Sequence, residues 1–223
     1  MDILVIGGGG REHAIIRKIK ESPLCGKVYC APGNGGIAAD AECIPSVKAT
    51  DVEGAVRLAQ EKKVDFVIVA PDDPLVLGMV DALEAAGIPA FGPRKNAAIL
   101  EGSKAFAKDL MKKYGIPTAA YEIFTDAEAA IAYVRAQNAY PTVIKADGLA
   151  LGKGVIIAQS EQEAVTAIRD MLEGGRFGDS GRRIVVEQFL SGPEVSVLAL
   201  TDGQVVRPLC SSMDHKRALD NDE

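Results

Sequence analysis

Val143-Ile-Lys145-Ala-Asp147-Gly148-Leu-Ala-Leu-Gly152-Lys153-Gly154-Val155 runs an apolar strand into a lysine and then into a basic loop punctuated by glycines. Lys145 follows residues that are apolar or β-branched and emerges at the strand end, where an ammonium is useful if something anionic neutralises it. Gly148, Gly152 and Gly154 let backbone N–H groups approach phosphate oxygens, and Lys153 adds a movable charge. The chemistry indicated is polyphosphate binding; a hairpin with a solvated lysine tip is the plain alternative for such a loop taken alone. A Walker A loop is excluded, because Gly148 and Gly152 enclose three residues where that motif has four, and Gly154 stands where the magnesium-binding hydroxyl belongs.

Downstream, Arg183-Ile-Val-Val-Glu187-Gln188-Phe189-Leu190-Ser-Gly192-Pro-Glu194 reads as a buried strand whose acidic end bends away. An edge backbone there, over Glu187, Gln188, Phe189 and Leu190, offers the N–H and C=O that adenine needs, and Glu194 can accept from ribose hydroxyls. Lys104 lies in the first turn of a helix, a position unfavourable to the helix dipole that a phosphate partner would explain. A solvated lysine and solvated acids are the alternatives for each piece alone.

Near the N-terminus, Gly7-Gly8-Gly9-Gly10-Arg11 precedes a helix and forms an anion cradle of unpaired N–H groups at its positive end. The dinucleotide fingerprint fails here. Gly7 and Gly9 fit its first two positions, but the third falls on Glu12, and the second strand ends in Ala31-Pro-Gly-Asn34 without the ribose-binding acid.

These side chains need a framework. Asp2–Ile6, Val28–Cys30 and Phe66–Ala70 are apolar strands alternating with helices over Arg11–Ser22 and Val52–Lys62, which predicts a doubly wound parallel sheet. A capping box at Thr50–Glu53 opens the second helix. Phe91-Gly92-Pro93 ends a strand and leads into helical segments closing near Tyr114, with Ala107, Leu110, Met111 and Tyr114 predicted as a buried face. A βαβ-like lid follows: helices capped by boxes at Thr125–Glu128 and Ser160–Glu163 cover a sheet of Thr142–Lys145, Val155–Ala158 and Ile184–Glu187. Strands over Val195–Thr201 and Gln204–Pro208 flank Asp202-Gly203, a hairpin signal.

With 48% hydrophobic and 25% charged residues in 223, the chain can bury a core and is expected to form two domains. A net charge of -6 argues against a nucleic-acid partner. No apolar run reaches membrane-spanning length and the N-terminus reads as a strand, so a cytoplasmic location is expected. Cys25, Cys30, Cys43 and Cys210 lack paired zinc or redox spacing and are expected to be free thiols, and two histidines exclude a His-rich metal site.

Taken together, Gly7-Gly-Gly-Gly-Arg11-Glu-His13, Ala31-Pro-Gly-Asn34, Ala70-Pro-Asp72-Asp73-Pro, Phe91-Gly-Pro93, Leu100-Glu-Gly-Ser-Lys104-Ala-Phe-Ala-Lys108, Lys145-Ala-Asp-Gly and Asp214-His-Lys216-Arg217 occur in the order found in one family. The chain resembles the ATP-grasp ligases and, within them, the glycinamide ribonucleotide synthetases, or phosphoribosylamine–glycine ligases. The resemblance implies an α/β fold with an N-terminal substrate-binding domain over 1–100. It also implies the first portion of an ATP-grasp domain over 101–223, its lid at about 120–190.

The implied activity belongs to de novo purine biosynthesis: ATP-dependent joining of glycine to 5-phosphoribosylamine through a glycyl phosphate, with ADP and phosphate released. Lys104, Lys145, Asp147, Gly148, Gly152, Lys153, Gly154, Glu187, Gln188, Phe189, Leu190 and Glu194 would hold ATP, and the loop from Asp147 to Gly154 would close over it. Gly8, Gly9, Gly10, Arg11, Asp72 and Asp73 would hold the ribosyl substrate. Asp214, Lys216 and Arg217 would act in catalysis, Asp214 on the glycine ammonium. The family's Mg2+ ligands fall beyond Glu223, so no metal ligand is assigned here and the chain alone is expected to be inactive. Asp72, Pro193, Met213, Leu219 and Asn221 depart from the family's usual residues. Another ATP-grasp carboxylate–amine ligase, or a nucleotide-binding fragment without catalysis, are the alternatives.

Overall fold

The computed structural model describes residues 1–149, 154–175 and 178–213, and the chain divides into two compact units, Met1–Gln188 and Phe189–Glu223. In the first unit, β1 (Ile3–Gly7) is buried at every position. With β2 (Val28–Pro32), β3 (Glu42–Cys43), β4 (Phe66–Val69) and β5 (Ala90–Phe91) it forms a parallel sheet in the order β3-β2-β1-β4-β5. The unbroken apolar run of β1 is needed because both sheet faces are covered. Leu4 and Ile6 pack with Ala55, Leu58, Met79 and Leu83, whereas Ile3 and Val5 pack with Ile16, Cys30 and Ile37.

The helices on these faces are α1 (Gly10–Lys20), α2 (Val52–Lys62), α3 (Asp72–Leu77) and α4 (Met79–Ala85). The α2 cap sits one residue later than the predicted box: the Asp51 carboxylate, not Thr50, accepts from Gly54 N at 2.8 Å. A carboxylate outcompetes a neighbouring hydroxyl for an orphan N–H.

Beyond β5 come α5 (Lys95–Gly102) and α6 (Lys104–Tyr114), the second capped by Ser103 Oγ, which accepts from Phe106 N at 3.1 Å. The predicted buried stripe of α6 is borne out in part, with Ala107, Leu110 and Met111 half-buried. Ala105 and Lys108 are its buried residues, while Tyr114 is exposed. The helix is held at its N-terminal end by the polar contacts of Ser103 and of Asp147 with Ala105 N.

The second sheet of this unit contains β6 (Tyr121–Phe124), β7 (Thr142–Ala146), β8 (Val155–Ala158) and β9 (Ile184–Gln188), ordered β6-β9-β7-β8. Every pairing is antiparallel, so the βαβ-like expectation is corrected, and β6 adds a fourth strand. One face is covered by α7 (Ala127–Gln137) and α8 (Glu161–Leu172), whose Ile131, Ile168 and Met171 pack with Ile144, Ile184 and Val186. The α7 cap is again an aspartate, Asp126, rather than the predicted Thr125; α8 carries the predicted Ser160 cap.

In the second unit β10 (Val195–Ser196) pairs antiparallel with β13 (Ser212–Met213), and β11 (Ala199–Thr201) with β12 (Val206–Pro208). The expected strand over Val195–Thr201 is therefore split in two. The hairpin turn is four residues wide, held by Asp202 Oδ1, which accepts from Gln204 N at 2.9 Å and Val205 N at 2.8 Å.

Candidate functional site

At the end of β7, Lys145 Nζ lies 2.9 Å from Glu187 Oε2 on the neighbouring β9. The register that sets Val143 opposite Glu187 brings the two side chains together across the antiparallel pair. A third group completes the cluster: Lys108 Nζ on α6 is 3.0 Å from the same oxygen. Glu187 is 5% exposed and Lys108 7%. Lys108 also donates to Thr118 Oγ1 at 2.8 Å and lies 5.6 Å from the centre of the Tyr121 ring. The other carboxylate oxygen, Glu187 Oε1, is buried without a hydrogen-bond partner among the described residues. An orphaned buried acceptor is costly and suits an incoming N–H donor.

Asp147 ties the loop after β7 to the start of α6. Its Oδ1 accepts from Ala105 N at 2.7 Å and from Ser103 Oγ at 3.0 Å, its backbone C=O accepts from Lys104 N at 3.0 Å, and Arg183 donates to Oδ2. The positive end of α6 is thus met by a carboxylate already inside the protein. Asp147 is a clamp in this arrangement, with its oxygens engaged by protein donors. Lys104 Nζ donates to Gly148 O at 2.8 Å, a partner the sequence reasoning did not anticipate. Burial lowers the Lys104 pKa, with Lys145 adding to the fall while Asp147, Glu101 and Glu187 oppose it. A Cβ added to Gly148 would stand 2.3 Å from Ser180 Oγ, so the loop is packed here, and Gly154 O accepts from Ala146 N at 2.8 Å.

The adenine-binding edge needs correction in part. β9 is an inner strand, paired on one side with β6 and on the other with β7. Gln188 N donates to Ala120 O at 2.8 Å, and Glu187 O accepts from Thr142 Oγ1 at 3.2 Å, so the backbone of these two residues is engaged within the sheet. Phe189, Leu190 and Glu194 belong to the second unit, ahead of β10. Gly152, Lys153, Asp214, Lys216 and Arg217 lie outside the described residues, as do Leu219 and Asn221. Among the described residues no group of three or more His, Cys, Asp or Glu side chains is placed to hold a metal ion.

In the parallel sheet the chain runs from β1 outward through β2 and β3, then returns to the other side through β4 and β5. The crevice beyond the strand ends at that reversal is the expected ligand position. A cavity of about 300 Å³ opens there, lined by Arg11, Ala70, Asp72, Leu75, Pro93 and Glu101. It brings together Arg11 and Asp72 from the predicted set; Asp73 is in the same first turn of α3 but outside this lining.

The glycine loop beside it is partly spent internally: Gly9 N donates to Glu12 Oε2 at 2.5 Å, and Gly8 O accepts from Asn34 Nδ2 at 2.8 Å. A Cβ at Gly7, whose φ is +131°, would overlap the Glu12 side chain. Glu12 therefore fills the place that the third glycine of a dinucleotide motif keeps clear. Gly10 is exposed, with open space where a Cβ would stand.

Lys108, Ser103, Arg183 and Glu12 are the residues that sequence reasoning passed over. For Lys108 a signal existed, since it stands four residues after Lys104 on one helix face. Arg183 and Asp147 are linked only by the fold.

The sequence matches the family model for the phosphoribosylglycinamide synthetase N domain over residues 1–101 and that for the ATP-grasp (A) domain over residues 102–223. It is 53% identical over 223 residues to a phosphoribosylamine–glycine ligase of Yersinia pestis and 51% identical to one of Haemophilus influenzae. In both comparisons all of this chain is matched to 52% of the relative, so the chain spans about half the length of these curated relatives. A solved phosphoribosylamine–glycine ligase from Thermotoga maritima aligns with a TM-score of 0.81 at 31% identity, covering 100% of this chain and 52% of that one. The biotin carboxylase domain of a Hydrogenobacter thermophilus 2-oxoglutarate carboxylase aligns with a TM-score of 0.77 at 23% identity over 97% of this chain and 51% of that one, which shows a shared fold. The chain belongs to the phosphoribosylglycinamide synthetase family.

Proposed function

We propose that this chain carries the nucleotide-binding and ribosyl-substrate-binding parts of an ATP-dependent phosphoribosylamine–glycine ligase. The observation that carries the proposal is the charge imbalance at the strand ends: Lys108 and Lys145 share one carboxylate oxygen, and Lys104 contributes a third ammonium beside them. Asp147, the nearby acid, is already offset by Arg183. An anion of several charges suits this surplus. Glu187 Oε1 fits the exocyclic amine of adenine, which supplies the N–H that the buried oxygen lacks. By resemblance, Phe189 and Leu190 offer backbone groups to the base and Glu194 accepts from the ribose.

Arg11 and Asp72, facing one crevice, fit a ribosyl phosphate: guanidinium for phosphate, carboxylate for ribose hydroxyls. In the reaction, the glycine carboxylate attacks the γ-phosphate of ATP, ADP leaves, and the ribosylamine then displaces phosphate from the acyl carbon to form the amide. Positioning and charge neutralisation carry such chemistry, without a protein nucleophile. Lys104 and Lys145 would neutralise the polyphosphate, and Asp214, Lys216 and Arg217 are assigned to the glycine side by resemblance. Mg2+, which ATP-grasp enzymes use, would supply further charge neutralisation between phosphates. Small molecules are the proposed partners, in the cytoplasm, and the four free thiols fit a reducing compartment.

Amide hydrogen exchange tests the assignment at both sites. ATP is expected to slow exchange at Lys104–Ala107 and Lys145–Gly148, and ribose 5-phosphate at Gly8–Arg11. Unchanged exchange at the first set with saturating ATP contradicts the nucleotide site, and unchanged exchange at the second contradicts the sugar-phosphate site.

A further inference from the structure

Glu187 Oε2 is shared by two lysines that are held very differently. Lys108 Nζ, 3.0 Å away, is buried and fixed by Thr118 Oγ1 at 2.8 Å, by Ala119 O at 3.5 Å and by the face of Tyr121. Lys145 Nζ, 2.9 Å away, is the more exposed of the two, and Glu187 is its hydrogen-bond partner among the described residues. One lysine is therefore locked to the carboxylate and the other is able to leave. We infer that Lys108 is a positioning residue: it keeps Glu187 neutralised when Lys145 turns from that carboxylate to a phosphate of the bound nucleotide. The inference rests on the nucleotide assignment above and assigns a role to a residue that touches no ligand.

The physical reason is the cost of an unpaired buried charge. A carboxylate this deeply buried cannot give up its one counter-ion cheaply, because its hydration is already lost. With two lysines on one oxygen the cluster carries an excess positive charge, so moving Lys145 outward leaves a neutral pair rather than a bare anion. Without Lys108, Lys145 is pinned to Glu187 and its ammonium is withheld from the phosphates.

Titration calorimetry with ATP and with adenosine tests this on the 223-residue chain, with K108M, K108R, K145M, E187Q and the double variants K108M/K145M and K108M/E187Q. K108M is expected to weaken ATP binding about tenfold, the scale of one charge-assisted contact, while leaving adenosine binding unchanged. K108R, which keeps the charge, restores most of the ATP affinity. In the K145M background the K108M effect disappears, because the lysine through which it acts is gone. In the E187Q background it disappears as well, because no buried charge remains to be neutralised. The E187Q comparison also serves if K108M alone folds poorly, since that double variant removes both ends of the pair.

Additive losses from K108M and K145M overturn the inference, as does equal loss of adenosine and ATP affinity or a K108M penalty that persists with E187Q. Wild-type chain that binds no ATP defeats the nucleotide assignment itself and this inference with it, an outcome distinct from binding with additive variants.

Discussion

Two glycine-rich turns in the first unit carry the same sequence signal and opposite electrostatics. After β1, Gly9 N–H is spent on Glu12 and Gly8 C=O on Asn34, with a buried carboxylate directly beneath the loop. After β7, Asp147 is saturated by Ser103, Ala105 and Arg183, the ammonium groups of Lys108 and Lys145 share one oxygen of Glu187, and Lys104 Nζ donates to Gly148 O. Glycines allow close approach of a backbone; they do not say to what. The charges that the fold brings alongside decide whether the turn favours an anion. That criterion supports the turn after β7 as the proposed polyphosphate site, whereas the turn after β1 offers Gly10 and Arg11.

The contrast is broken most severely at Asp147, whose carboxylate anchors α6 to the β7 turn. Asp147→Ala is expected to cost about 2–4 kcal/mol in chemical denaturation, less than a fully buried pair because Arg183 can rehydrate. A cost below ~1 kcal/mol would show that the clamp is incidental. Next in size, Lys145→Met should lose about 1.5–3 kcal/mol of ATP affinity without comparable loss of stability. Titration calorimetry with the folded variant decides it, and unchanged affinity removes Lys145 from the site.

Glu12→Ala sharpens the comparison from the other side. It strips the acceptor from Gly9 N–H and is expected to cost about 1–2 kcal/mol of stability. ATP affinity should stay at the wild-type value, because the turn after β1 is not the polyphosphate site; a loss comparable to that of Lys145→Met contradicts the division of labour. The smallest effect belongs to Asp40, half-buried beside His13 and Lys20. Its pKa is lowered, first by the His13 hydrogen bond and then by Lys20. A depressed carboxylate stabilises the fold above the ordinary aspartate range, and this is lost as pH falls through the lowered folded pKa. Asp40→Asn should therefore melt slightly below wild type at neutral pH and converge with it in acid. A gap that widens in acid reverses the assignment.

The parallel sheet was legible because burial on both faces forces continuous apolar strands such as Ile3–Ile6, and Lys145 was legible as a charge closing such a strand. Less of the antiparallel sheet could be read. Tyr121 pairs with Glu187 and Asp147 with Arg183 across long stretches of chain, and nothing in the local spacing encodes either partner. The inward face of α6 was legible in part: Ala107, Leu110 and Met111 are half-buried as apolar periodicity predicts, while Tyr114 is exposed and the most deeply buried positions are Ala105 and Lys108, the latter paired with Glu187. Caps fell one residue from their predicted places at Asp51 and Asp126, where two candidate acceptors stand side by side.

The central claim is that surplus positive charge around Glu187 binds the phosphates of a nucleotide. Calorimetric affinities of adenosine, AMP, ADP and ATP, each at low and high salt, test it most directly. Affinity is expected to rise with each added phosphate, and the advantage of ATP over adenosine to shrink as salt screens the charges. Equal affinity for adenosine and ATP, or an ATP advantage insensitive to salt, would contradict the claim.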